Sequence, residues 1–300
     1  MNILSEIKDR LSIFNNLYDV IRVINPINKK VIYNDENHNE NITSTCYEFW
    51  NKNGTCENCV CIRALRENDT FIKIEYKEKR VFLTIASPVS INDYIYVVEL
   101  IKDITMKAFV VQSEYKNVEK INDLITRLNY AMITDPLTGI YNRRFIDGQL
   151  YVDINENAVN KLPMCIIILD IDYFKEVNDT YGHLAGDYVL KEFGKLILES
   201  IRKSTDWVSR YGGEEFLIVL NNTNKEGAIV VANKIKTLLG NTEFIYESNK
   251  INITASFGVC CLKEGGIINA KDFIKCADEN LYKAKKTGRD KIVISEINEG

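Results

Sequence analysis

The sequence predicts an α/β (α+β) domain with a central sheet flanked by helices over residues 135–300. Ahead of it come a smaller α+β domain over residues 1–105 and a helical coiled-coil linker over residues 106–134. Three patterns predict this. Beyond residue 135, apolar strand-like runs such as "MCIIILDID", "INITASFGVCCL" and "KIVIS" alternate with helical stretches such as "YVLKEFGKLILESIR", "GAIVVANKIKTLLG" and "DFIKCADENLYKAKK". Between residues 18 and 105, the short runs "DVIRVI", "KVIYN", "TFIKIEY", "RVFLTIASPVSI" and "YIYVVELI" are separated by turn residues, as in an antiparallel sheet carrying one or two short helices. Between them, Val118, Ile121, Ile125, Leu128 and Met132 recur at spacings of three and four, with Val111 in phase and no Gly or Pro before Asp135-Pro136.

The composition sets outer bounds. A chain of 300 residues that is 46% hydrophobic can build two ordinary cores. A formal net charge of -4 argues against nucleic acid or an anionic membrane as the main partner. No apolar run is long enough to span a membrane, and "MNILSEIKDRLSIF" reads as amphipathic rather than as a leader, so a cytoplasmic protein is expected. In that compartment the eight cysteines are expected to be reduced. Cys165, Cys260, Cys261 and Cys276 lie in apolar patterns and read as small core residues.

The stretch "SRYGGEEFLIVL" reads as a hairpin in which Gly212 and Gly213 turn the chain and two adjacent glutamates, Glu214 and Glu215, open a buried strand. Paired like charges there are costly without a cation or donors to meet them. A second acidic group lies at the end of an apolar strand, in "IIILDIDYFKEVNDTYGHLAGD". Strand alternation points Asp170 and Asp172 to one side and Ile171 to the other. The turn Tyr173-Phe174-Lys175 then offers amides and a cation to phosphate oxygens, and Asn178 and Asp187 suit the donor–acceptor edge of a purine.

The segments "DPLTGIYNRR", "LDIDYFKEVNDTYGHLAGD", "RYGGEEF" and "ADENLYKAKKTGRDKI", in this order, resemble the GGDEF family, the diguanylate cyclases. The resemblance implies condensation of two GTP into cyclic di-GMP with release of two pyrophosphates, and Mg²⁺ or Mn²⁺ as the cofactor. It implies Asp170, the Ile171 carbonyl and Glu214 as metal ligands, with Glu214 and Glu215 as the catalytic pair. It also implies Asn178 and Asp187 as readers of the guanine and His183 as a further substrate contact. Asp172 reads more simply as an acceptor behind the ligands than as a ligand itself. The backbone at Tyr173 and Phe174, with Lys175, Lys285 and Arg289, would lie on the phosphates, and Gly212 and Gly213 would leave room for the nucleotide. Because each GTP must react with the other, a homodimer through the N-terminal domain and linker is expected. A non-catalytic module binding GTP or cyclic di-GMP is the alternative.

Many family members carry an Arg-x-x-Asp site that binds product and inhibits. Here the matching residues are Lys203 and Asp206, and lysine lacks arginine's planar fork, so weak inhibition is expected, with Arg202 pointing elsewhere if the backbone is regular. The N-terminal strands and the junction "VVELIKDIT" resemble a PAS-type sensor domain. Within it, "CYEFWNKNGTCENCVC" places Cys46, Cys56, Cys59 and Cys61 at spacings that suit zinc or an iron–sulfur cluster, or equally a set of redox-active thiols.

Overall fold

The computed structural model describes residues 18–34, 44–54, 56, 58–91, 94–105, 123, 127 and 129–297. The chain divides into two compact units between Met132 and Ile133. The linker positions Val111, Val118, Ile121, Ile125 and Leu128 lie outside the described residues, whereas Met132 is described, helical and exposed.

In the first unit, β1 (Val20–Asn25), β2 (Lys30–Asn34), β3 (Phe71–Lys77), β4 (Arg80–Ile91) and β5 (Tyr94–Asp103) form one sheet in the order β2-β1-β5-β4-β3. Every strand pair in it is antiparallel, as the short alternating runs predict. The helix α1 (Val60–Glu67) sets Val60, Cys61 and Ala64 against Ile24, Val31, Ala86 and Val97. Arg22 and Glu99 are register partners on β1 and β5 and are both buried. The guanidinium forks onto the carboxylate and also donates to the Cys46 carbonyl at 3.1 Å, so neither charge is left alone in the core.

The second unit runs α2 (Arg143–Val159), β6 (Met164–Ile171), α3 (Phe174–Tyr181), α4 (His183–Ser200), β7 (Trp207–Gly212) and β8 (Glu215–Asn221). It continues with α5 (Lys225–Asn241), the hairpin of β9 (Phe244–Tyr246) and β10 (Asn249–Ile251), β11 (Ala255–Leu262), α6 (Ala270–Lys286) and β12 (Ile292–Ile297). The main sheet has the order β12-β11-β6-β8-β7. Alternating strands and helices would give a parallel sheet if each helix were a crossover, but only β11 and β12, joined through α6, are parallel. The neighbours of β6 run against it, and β7 and β8 form a hairpin.

The central strand β6 is buried along its whole length, because both faces of the sheet are covered. Cys165, Ile167, Leu169 and Ile171 pack with Val189, Phe193 and Ile197 of α4 and with Ala232 and Ile235 of α5. Met164, Ile166 and Ile168 face Ile146 and Leu150 of α2 and Phe273, Ala277 and Leu281 of α6. Each such side chain contributes about 1.5–3 kcal/mol of burial, which holds the end of β6 in place.

The expectation of reduced core cysteines holds for burial but not for redox state. Cys165 and Cys261 are register partners across β6 and β11, and Cys260, on the opposite face of β11, meets Cys276 of α6; both pairs are disulfides. Adjacent cysteines on one strand can only be paired on opposite faces, and the register decides with what.

Asp153 of α2 is buried and accepts hydrogen bonds from Trp207 Nε1 at 2.6 Å and Gln149 Nε2 at 2.7 Å. Burial nevertheless pushes its carboxyl up from 3.8 to about 6. The folded state thus holds this proton more tightly than the unfolded chain, and stability falls as pH rises through the window from about 4 to 6. The cost, fully present above that window, is at most about 3 kcal/mol. Asp153→Asn is expected to gain about 1–3 kcal/mol over the parent at pH 7.5 relative to pH 4.5 in urea titrations. Identical pH dependence in both proteins would rule this out.

Candidate active site

The site is built where β6 ends. Asp170 and Glu215 are register partners on β6 and β8, so their side chains leave the same face of the sheet, the one that α6 covers. From the last turn of α6, the Lys285 ammonium reaches Asp170 Oδ2 at 2.8 Å. Burial pushes the Asp170 carboxyl up to about 6; the Lys285 hydrogen bond and charge oppose the rise, while Glu214 and Glu215 add to it. Glu215 is also raised, first by burial and then by Asp278 and Glu214, against the charges of Lys285 and Arg143. Three carboxylates thus share one strand end with a single bonded cation, the electrostatic state expected of a site that receives a further positive charge.

The turn between β7 and β8 is as tight as its sequence predicts. Gly213 has φ +54°, and a Cβ placed on Gly212 or Gly213 would meet nothing within 4 Å, so the space over the turn is open. Arg210 ties the turn down, donating from Nε to the Gly213 carbonyl at 2.8 Å and from Nη1 to Asp135 at 3.3 Å. Asp135 also accepts from the Thr138 amide and hydroxyl, and these bonds, with Arg210, hold its carboxyl below the usual range despite burial. Arg210 and Asp135 lie in segments the sequence singled out, but nothing local in either segment reveals that they meet.

Asp172 is buried and fully engaged by its neighbours. It accepts from Thr254 Oγ1 and Ser256 Oγ at 2.7 Å each and from the Asp290 amide at 3.0 Å, joining β6 to β11 and to the loop before β12. Tyr173 caps α3 with φ +56°, and its exposed ring lies 4.5 Å beneath the Arg289 guanidinium. Phe174 is buried, so only its backbone is available to a ligand, while Lys175 on α3 and His183 at the start of α4 are exposed. Asn178 of α3 lies against Gly186 of α4, the residue before Asp187, at the α3–α4 corner. There Gly186 makes room, since a Cβ on it would lie 1.9 Å from Asn178 Oδ1.

The segment after α4 corrects one expectation. Arg202 does not point away: the Asp206 amide bonds back to the Arg202 carbonyl at 2.9 Å, and this turn brings the two side chains together. The Arg202 guanidinium forks onto Asp206, with Nε and Nη2 at 2.9 and 2.7 Å, and reaches Thr223 Oγ1 at 2.7 Å. Asp206 is buried in this contact, whereas Lys203 is exposed.

In the first unit, Cys46, Cys56, Cys59 and Cys61 line one small cleft together with Arg22, Lys73, Thr84 and Glu99. Among the described residues, no three His, Cys, Asp or Glu side chains could hold a metal ion. The helix α1 turns Cys61 inward among Ile24, Ala86 and Val97, with its Sγ 3.7 Å from Glu99 Oε1. Cys59, the N-cap of α1, is brought down to about 7 by hydrogen bonds from the Cys61 thiol and the Ile62 and Cys61 amides, against its burial. Burial pushes Cys46 and Cys56 each up to about 12.

The second unit is therefore an α+β domain carrying a carboxylate-rich site, bonded to one lysine, at the end of its central strand. Residues 132–291 match the family model described as "Diguanylate cyclase, GGDEF domain", and the chain belongs to that family. It is 41% identical over 145 residues to Diguanylate cyclase A of Treponema denticola, covering 48% of this chain and 38% of that protein. It is 37% identical over 175 residues to the response regulator PleD of Caulobacter vibrioides, covering 57% of this chain and 38% of that protein. The chain thus spans well under half the length of these relatives. Its fold is similar to that of the coiled coil and GGDEF domain of DgcB from Caulobacter crescentus, solved in complex with c-di-GMP. The TM-score is 0.56 and the identity 26%, covering 60% of this chain and 94% of that one. No helix among the described residues is long and apolar enough to cross a membrane.

Proposed function

We propose that this chain is a diguanylate cyclase, condensing two GTP into cyclic di-GMP and two pyrophosphates in the cytoplasm under the control of an N-terminal sensor unit. The observation that carries the reading is the register pairing of Asp170 with Glu215 beside an intact Gly-Gly turn, with Lys285 at hydrogen-bond distance. The donor set is all oxygen, and Asp170, though buried, is still acidic enough to ionise near neutrality, which fits Mg²⁺ or Mn²⁺ held by Asp170, the Ile171 carbonyl and Glu214. Such an ion, when bound, neutralises phosphate charge and makes a 3'-hydroxyl more acidic.

The chain's own groups then divide the work. Glu214 receives the 3'-hydroxyl proton while Glu215 supports the attacking group. Lys285 leaves Asp170 for the phosphates, joined there by Lys175, Arg289 and the amides at Tyr173 and Phe174. Asn178 and Asp187 read the guanine at the α3–α4 corner, with His183 at its rim. One chain holds one GTP, so a homodimer through the sensor unit and linker brings two sites face to face. The all-antiparallel first unit, with one helix over a cleft, supports the PAS-like sensor reading. The test is incubation of the purified chain with GTP and Mg²⁺, followed by chromatography; a folded, GTP-binding dimer that forms no cyclic di-GMP would favour the binding-module alternative.

Product inhibition is expected to be weak, now for two reasons: Lys203 lacks the fork, and Asp206 is already held by Arg202. Lys203→Arg alone should leave the enzyme insensitive, whereas Lys203→Arg with Arg202→Ala should lower the inhibitory concentration of cyclic di-GMP at least about tenfold. Tight inhibition of the native chain, lost on Asp206→Ala, would overturn this.

A further inference from the structure

The four free cysteines occupy one place and are not equivalent. Cys59 stands at the N-cap of an eight-residue helix and is partly exposed to the cleft. Such a position favours a thiolate, as it favours other anions. Cys61, buried two residues on, lines the same cleft, and its Sγ stands 3.7 Å from Glu99 Oε1. A separate observation concerns Thr84: its hydroxyl, on a residue 1% exposed, lines the same cleft and has no hydrogen-bond partner among the described residues. A buried hydroxyl without a partner is costly, so the cleft is built to take a small molecule that bears a hydrogen-bonding group.

We infer that this cleft is a thiol reaction site for a small hydroperoxide, with Cys59 as the attacking sulfur, Cys61 as the resolving one and Thr84 as a hydrogen-bond partner for the peroxide. Each step balances. The Cys59 thiolate takes the outer peroxide oxygen, the O–O bond breaks, and the departing oxygen collects a proton to leave as alcohol, or as water from hydrogen peroxide. The Cys61 sulfur then displaces hydroxyl from the Cys59 sulfenic acid; an S–S bond forms, an S–O bond breaks, and the Cys61 proton leaves with the hydroxyl as water. Two thiols supply the two electrons that reduce the peroxide. The inference goes beyond the cyclase reading and does not depend on it, because its readout is the cysteines themselves.

The experiment uses the full chain, purified anaerobically, treated with one equivalent of hydrogen peroxide, alkylated and digested after lysine and arginine. Cys56, Cys59 and Cys61 then share the peptide spanning residues 53–63. The expected result is a fall from four free thiols to two, with the new disulfide inside that peptide. Cys56→Ser should keep the reaction, whereas Cys59→Ser should slow it at least about tenfold. Cys61→Ser should stop it at a sulfenic acid on Cys59 that dimedone labels, and this variant keeps the test decisive if Cys59→Ser does not fold. Thr84→Val should slow the first step and leave alkylation by iodoacetamide unchanged. Unslowed oxidation of a folded Cys59→Ser, a disulfide joining Cys46 to Cys56, or stoichiometric zinc or iron in the purified protein would each overturn the inference.

Discussion

Glu214→Gln is expected to reduce cyclic di-GMP formation about 10²–10⁴-fold while leaving the melting temperature unchanged. Glu214 sits in the turn itself, half-buried, and its charge raises both Asp170 and Glu215, so it belongs to the same electrostatic cluster without belonging to the core. The amide preserves shape and removes the charge. It can neither receive a proton nor serve as an anionic metal ligand, so the loss should fall on turnover, and raising Mg²⁺ or Mn²⁺ should recover little of it. The GTP contacts proposed at the α3–α4 corner and at Lys175 and Arg289 do not involve Glu214, so nucleotide binding measured by calorimetry should change far less than turnover. Turnover within tenfold of the parent would remove Glu214 from the chemistry.

Gly258→Ala is expected to destabilise the second unit by about 3 kcal/mol, the upper end of the usual cost of overpacking. Gly258 lies on β11 under α6, and an added Cβ would stand 2.1 Å from the Ala277 carbonyl oxygen and 2.2 Å from the Leu281 amide nitrogen. Both are helix backbone atoms, which cannot rotate away as a side-chain tip can, so the helix as a whole must lift. For a unit of this size the loss corresponds to a fall of about 6–12 °C in melting temperature. Because α6 carries Lys285 and leads into Arg289, activity should fall below what the loss of folded protein explains. Gly240→Ala is the control: it lies exposed near the end of α5 with nothing within 4 Å of its Cβ, and it should melt no lower than the parent. Equal melting of the two variants would show that the β11–α6 contact is looser than it stands here.

The two positions differ in how far sequence could reach them. Glu214 was legible because its chemistry is local: two glycines, two glutamates and a following apolar strand define a turn and its charges within a few residues. Gly258 was not, because a glycine within "SFGVCC" says nothing about which helix crosses it. The same divide separates Asp172, whose side of the strand alternation indicated, from its partners Thr254, Ser256 and Asp290, more than eighty residues away.

By itself the sequence determined the strands of both five-stranded sheets, the helices α4, α5 and α6, the shape of the Gly-Gly turn, and the acidic end of β6. These follow from periods of two and 3.6 residues and from the backbone freedom of glycine, which act over one element at a time. Only the tertiary structure decided what each charge and sulfur meets: Asp170 with Lys285, Asp206 with Arg202 rather than Lys203, Cys165 with Cys261, and Cys61 turned inward beside Cys59. Those pairings depend on strand register and on how closely helices seat upon the sheet. A shift of one residue in register would exchange every partner, and no local pattern records that choice.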